Sequence, residues 1–168
     1  MNLTEAKAQF IQSWGVLGSQ WGINRTMAQI HALLIVAAQP LTTEDIMDQL
    51  SVSRGNTNMN VRELIDWGLV EKVIIPGERK EFFTAEKDIW KVATLIMYQR
   101  KKRELDPMVK VLNQLSTVEG DKNNAEVKAF TQTISNIKKF AGQAESTLNT
   151  IIKAEENWFW NSFIKLFK

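Results

Sequence analysis

The residues best equipped to contact a polar partner selectively lie between Ser53 and Arg62, where the chain reads SRGNTNMNVR. On a helix advancing about 100° per residue, Thr57, Val61 and Leu64 share one side and Gly55, Asn58, Met59 and Arg62 the other, flanked by Arg54 and Asn56. The second side is rich in guanidinium and amide donors and carries no acid before Glu63. Arg can bind a guanine edge in bidentate fashion, Asn can pair with adenine, and Met can touch a thymine methyl. The backbone amides at Ser53 and Arg54 can meet a phosphate, and Gly55 lets the backbone come close. A second basic pair, Arg79 and Lys80, stands beside Gly77 in a turn and suits a neighbouring groove or backbone.

The elements that hold these residues are legible from hydrophobic period. Leu3, Phe10, Trp14, Leu17 and Trp21 recur at helical spacing and predict a first helix with that stripe as its apolar face, ended at Gly22. Asn24 is placed to cap a core helix through Met27, Ile30, Leu33, Leu34 and Ala37, stopped by Pro40. Thr42 or Thr43 caps a short third helix, with Glu44 and Asp45 at the positive end of its dipole. Ser53 caps a fourth that runs to about Trp67, where Gly68 supplies a left-handed stop. The strings LVEKVII and KEFFT, separated by PGER, alternate as a two-stranded hairpin and are the only strong β signal. Three helices followed by a hairpin give the order of a winged helix-turn-helix: mainly α, with a small β-hairpin wing and one helix suited to the DNA major groove.

From about Asp88 the pattern is helical again, through Trp90, Ala93, Met97 and Tyr98 into the basic string QRKKR. Pro107 predicts a kink or restart, and the polar residues 116–124 read as the main loop. Beyond it Val127, Phe130, Ile134, Ile137, Ala141, Ala144, Leu148 and Ile151 form a heptad seam, which needs a partner helix from the same chain or from a second copy. The aromatic tail from Trp158 to Phe167 can dock on a partner subunit, on the body of the same chain or on a membrane surface, and dimer packing is preferred because it covers the rings without a lipid. The resulting division is a winged-helix DNA-binding lobe at 24–88, with 1–23 and 89–168 as N- and C-terminal dimerisation helices.

Composition narrows the functional classes. Of 168 residues, 44% are hydrophobic and 24% charged, an ordinary globular balance, and a net charge of only +2 means that a local patch must attract any anionic partner. Cysteine is absent and His31 is the single histidine, which excludes a disulfide framework, thiolate zinc sites and a Cys nucleophile. Phosphate-binding glycine loops are missing, and the adjacent pairs Glu44/Asp45 and Glu155/Glu156 do not share a helix face. Neither enzyme chemistry, a metal nor a cofactor is therefore expected. The longest apolar run, residues 32–38, falls short of the roughly 18–20 residues of a membrane span, and no signal-like start is seen, so the expected place is the cytoplasm. His31 on the core helix reads as a hydrogen-bonded structural residue. Trp14, Trp21, Trp90 and Tyr98 read either as packing residues or as part of an aromatic cage for a cationic effector.

The run LSVSRGNTNMNVRELIDWGLVEKVIIPGERKEFFTAEKDIWKV, with WGINRTMAQIHALLIVAAQPLTTEDI just upstream, resembles the GbsR-type branch of the MarR superfamily of bacterial transcription regulators. The resemblance implies a homodimeric winged-helix regulator with its recognition helix at 53–67 and its wing at 70–84. It also implies terminal helices at the dimer interface and a response to small molecules, choline among them. By the same resemblance, Ser53, Arg54, Asn56, Asn58, Arg62, Arg79 and Lys80 are implied to contact double-stranded DNA; Met59 is added from helix geometry. The alternative is a winged-helix module that meets protein and does not read DNA sequence.

Overall fold

The computed structural model describes residues 1–117 and 124–166, with 154–166 described through the backbone alone. Part of the expected loop, 118–123, and the side chains of the aromatic tail from Trp158 to Phe167 lie outside the described residues. The chain forms two compact units, Met1–Val92 and Ala93–Lys168. Residues 1–23, expected among the dimerisation helices, lie in the first of these units.

In the first unit, α1 (Leu3–Gln20) begins with a capping box in which Asn2 and Glu5 bond each other's backbone amides at 2.9 and 3.0 Å. Its packing face is not the expected aromatic stripe. Ile11, Gly15 and Gly18 are buried, while Leu3, Leu17 and Trp21 are exposed. The physical reason is backbone approach: a Cβ built on Gly18 would fall 2.6 Å from the Ala28 Cβ, so missing side chains, not large rings, let α1 lie against α2 (Arg25–Val36). Asn24 caps α2 by accepting from the Thr26 and Met27 amides, and Met27, Ile30, Leu33 and Leu34 build the core as expected.

A capping box between Thr42 and Asp45 starts α3 (Thr43–Leu50), which ends at Ser51 in the left-handed region, φ 53°. The fourth helix, α4 (Arg54–Asp66), follows after the three-residue link 51–53 and stops before Gly68, φ 76°. The sheet has three strands, β1 (Leu41–Thr42), β2 (Val70–Val73) and β3 (Phe82–Ala85), in the order β1-β3-β2 and antiparallel throughout. Val70 pairs with Ala85 and Val73 with Phe82, as the hairpin pattern requires. Strand β1, pairing Leu41 with Phe83, is too short to show a period of two and had no signal in the sequence. It ties the start of α3 to the hairpin. Ile46, Leu64, Leu69, Val70 and Phe83 complete the core.

Helix α5 (Ile89–Arg100) is capped by Asp88, which accepts from the Trp90 and Lys91 amides. It passes through a π-helical turn, Lys101–Leu105, into α6 (Asp106–Leu115), so the effect of Pro107 appears as a widened turn. Pro107 has no N–H to donate to the preceding turn, and the Asp106 amide instead reaches back to the Lys101 carbonyl. Lys101 is held by Asp106 at 2.8 Å and Glu145 at 3.2 Å, and the Asp106 hydrogen bond raises its pKa.

The heptad seam of α7 (Ala125–Leu166) divides into two lines. Ile134 and Ala141 are buried in a cluster with Leu112, to which Leu105 and Val109 add. The alternate positions Phe130, Ile137 and Ile151 remain exposed. Among the described residues, no helix is long and apolar enough to cross a membrane.

Candidate nucleic-acid interface

Helix α4 is oriented by what it buries. Thr57, Val61 and Leu64 are at most 3% exposed, so the positions about one turn apart on the core side fix the rotation of the helix. At its start Ser53 Oγ accepts from the Asn56 amide, and the Thr57 hydroxyl donates to the Ser53 carbonyl at 3.0 Å. Ser53, Arg54, Gly55, Met59 and Arg62 are consequently exposed, and Asn56 and Asn58 are half-buried. Met59, at 58% exposure, is a large apolar side chain standing among donors.

Two contacts fix the amides. Asn60, which sequence reasoning passed over, is 1% exposed and donates through Nδ2 to the Asn56 carbonyl at 2.8 Å and to Asn56 Oδ1 at 2.7 Å. Its signal was an amide three residues after Thr57 on the core side, where a polar group has to find a partner within the protein. The Thr43 hydroxyl approaches Asn58 Oδ1 at 3.4 Å. Both interactions occupy the amide oxygens and leave Asn56 and Asn58 their Nδ2 donors.

Arg54 is held from α3. Its Nη2 lies 2.8 Å from Glu44 Oε1, and both side chains are solvent-accessible. The Arg54 hydrogen bond is the main cause of a lowered Glu44 pKa, and the positive charge of Lys80 adds to it. Asp45 is likewise lowered, chiefly by hydrogen bonds from Thr42 and further by Lys80. The charge of the wing residue Lys80 therefore reaches the start of α3, which Arg54 joins to the start of α4. Gly77, φ 88°, makes the wing turn in a conformation that a side chain would strain, and Arg79 and Lys80 beyond it are exposed. Lys72 and Glu81 pair across the base of the wing.

The four aromatic residues expected at an effector site are differently disposed. Trp14 is half-buried with its ring centroid 5.4 Å from Phe10 and 6.3 Å from His31, and it makes no ring contact with Trp21. Trp21 and Trp90 are 54% and 78% exposed, and Tyr98 is an exposed residue of the second unit. His31 departs from the hydrogen-bonded residue expected: it is buried, and its Nε2 has no partner among the described residues. Burial lowers its pKa from 6.5 to about 4, so it is neutral at ordinary pH. Among the described residues no three His, Asp or Glu side chains are grouped to hold a metal.

A MarR family profile matches residues 21–81, a span that runs from the end of α1 through α4 to the wing. The similarity to the MarR family therefore covers a little over a third of the chain, the part that holds α2, α3, α4 and the first strand of the wing. The chain is similar to three curated proteins of Bacillus subtilis (strain 168). It is 24% identical over 112 residues to the HTH-type transcriptional repressor GbsR, covering 67% of this chain and 62% of that one. It is 23% identical over 88 residues to the putative HTH-type transcriptional regulator YvaV, covering 52% and 50%. It is 26% identical over 70 residues to the HTH-type transcriptional repressor OpcR, covering 42% and 38%. The matches thus span from under two fifths to about three fifths of these relatives, all of which are named as regulators and none as an enzyme. In fold, the chain is similar to a solved structure described as a transcriptional regulator, with a TM-score of 0.55 at 14% identity, covering 86% of this chain and 99% of the other.

Proposed function

We propose that this chain is a DNA-binding transcription regulator that acts as a homodimer and answers to a small-molecule effector. One observation carries the reading. The core side of α4 is sealed by Thr57, Val61 and Leu64, which leaves Arg54, Met59 and Arg62 facing outwards, while Glu44 feels both Arg54 and the wing residue Lys80. A helix with donors and one methyl on its free side, beside a basic wing tip, suits a major groove and its adjoining phosphates. In this reading Arg54, Met59 and Arg62 meet base edges, Asn56 and Asn58 offer amide donors, and Ser53, Arg79 and Lys80 meet the backbone.

Dimer formation is supported by the exposed line of Phe130, Ile137 and Ile151 on α7, together with Phe140 at 71% exposure. A second copy would cover apolar surface that the unit's own packing leaves wet. The effector proposed is a quaternary ammonium compound such as choline, for which the accessible faces of Trp21 and Trp90 offer cation–π contact. A ligand preferring the native state raises apparent stability, so a thermal-shift series with choline and betaine tests this part separately.

The test of the main reading is a salt titration of duplex affinity. DNA binding through several cations falls steeply as salt rises, with a log–log slope of about −0.9 per phosphate contact. A flat response, or no binding at low ionic strength, supports the alternative of a protein-interaction module.

A further inference from the structure

The starts of α3 and α4 and the wing tip bring together Arg54, Lys80 and one carboxylate that no DNA-contact role accounts for, Glu44. Its neighbour Asp45 has a structural task, closing the capping box with Thr42. The Glu44 carboxylate bonds a backbone amide only within its own residue and is directed to Arg54 Nη2 on the next helix. We infer that Glu44 is a specificity-determining residue, which holds Arg54 back from indiscriminate phosphate contact and releases it only to a base edge that offers more than the carboxylate does. This rests on the reading of α4 as a DNA-contact helix.

The physics is a competition for one guanidinium. On random sequence, a phosphate offers Arg54 the same kind of charge-assisted bond that Glu44 already gives it, and it must also approach the Glu44 charge. Arg54 then stays on Glu44, and one cation is withheld from non-specific binding. On a matching sequence a guanine presents O6 and N7 together, and the bidentate contact outweighs the single bond to Glu44. Glu44 therefore weakens binding to all DNA, but weakens it most where no base rewards the exchange. That is discrimination by opposing the wrong partner. The pair is exposed, so the exchange needs no rearrangement of the core.

The test uses Glu44→Gln, which keeps the side chain's size and removes its charge. Its duplexes are one selected by the full-length wild-type chain from a random pool and a scrambled duplex of equal length. The expected result is a roughly tenfold gain in affinity for the scrambled duplex near 0.1 M salt, with a log–log salt slope steeper by about 0.9, as one more phosphate contact requires. Affinity for the selected duplex rises less, so the ratio between the two falls. Adding Arg54→Gln to Glu44→Gln abolishes the gain. Unchanged affinities, or an equal fall on both duplexes at wild-type thermal stability, overturn the role given to Glu44 while leaving α4 as the DNA-contact helix. A wild-type chain that selects no duplex and binds none in a salt-dependent way overturns both.

Discussion

Asn60, sealed on the core side of α4, donates from one Nδ2 group to both the backbone carbonyl and the side-chain oxygen of Asn56. The pair ties a buried position to a candidate contact residue on the same helix. Replacing Asn60 with Ala leaves a small void and removes both bonds, and a loss of about 1–3 kcal/mol in folding stability is expected. Urea unfolding provides the measurement. A midpoint equal to that of the wild type would show that the bonds contribute nothing.

The approach of α1 to α2 gives a second prediction. At Gly18 an added methyl meets the Ala28 Cβ at 2.6 Å, whereas at Gly15 it meets the Gln29 side chain, which can swing aside. Gly18→Ala should therefore destabilise by roughly 1–3 kcal/mol and Gly15→Ala by distinctly less. Ala28→Gly in the Gly18→Ala background should recover part of the loss. If the two single variants have the same effect, the glycine notch does not set the spacing of these helices.

His31 makes stability depend on pH. Its pKa is lowered from 6.5 to about 4 by burial, so between these values the unfolded chain binds a proton that the folded one refuses. The stability associated with neutral His31 is complete above about pH 6.5, falls as pH drops, and is fully lost once pH has passed below about 4. At about pH 5 the loss should reach about 2 kcal/mol relative to neutral pH. The difference between wild type and His31→Leu, measured by chemical unfolding at both pH values, isolates this contribution from the carboxylates. An equal pH dependence in the two proteins would contradict it.

The split seam of α7 predicts two unlike phenotypes a few residues apart. Ile134→Ala removes a side chain buried in a cluster with Leu112 and should cost about 2–4 kcal/mol in folding. Ile137→Glu changes an exposed position and should leave helix content intact while weakening self-association. Sedimentation equilibrium and circular dichroism separate the two. Undiminished association of Ile137→Glu would place the dimer contact elsewhere.

The winged-helix order was legible because its helices carry strong local signals: Asn24, Thr42 and Ser53 all cap where the sequence places them, and Gly68 and Gly77 adopt positive φ at the stops and turns. The outward side of α4 followed from the same logic, since Thr57, Val61 and Leu64 could only be its core side. What the sequence concealed depends on tertiary approach. The stripe of Trp14, Leu17 and Trp21 has the larger apolar surface, yet α2 comes closest where Gly15 and Gly18 remove side chains, which no hydrophobic period records. Strand β1 escaped because two residues have no period, and the Glu44–Arg54 pair because it joins separate helices. The seam was visible, but its division into a packed and an exposed line depended on where α6 lies.

The central claim is that the free side of α4 reads a DNA duplex, and the most direct measurement compares Arg62→Ala with Lys138→Ala, an exposed cation of α7, in fluorescence anisotropy on a duplex selected by the wild type. The account predicts that Arg62→Ala loses about 1–3 kcal/mol of binding free energy, roughly tenfold or more in affinity, and relaxes preference at its own base position, while Lys138→Ala binds as the wild type does. Equal affinity of the two variants for that duplex would contradict it.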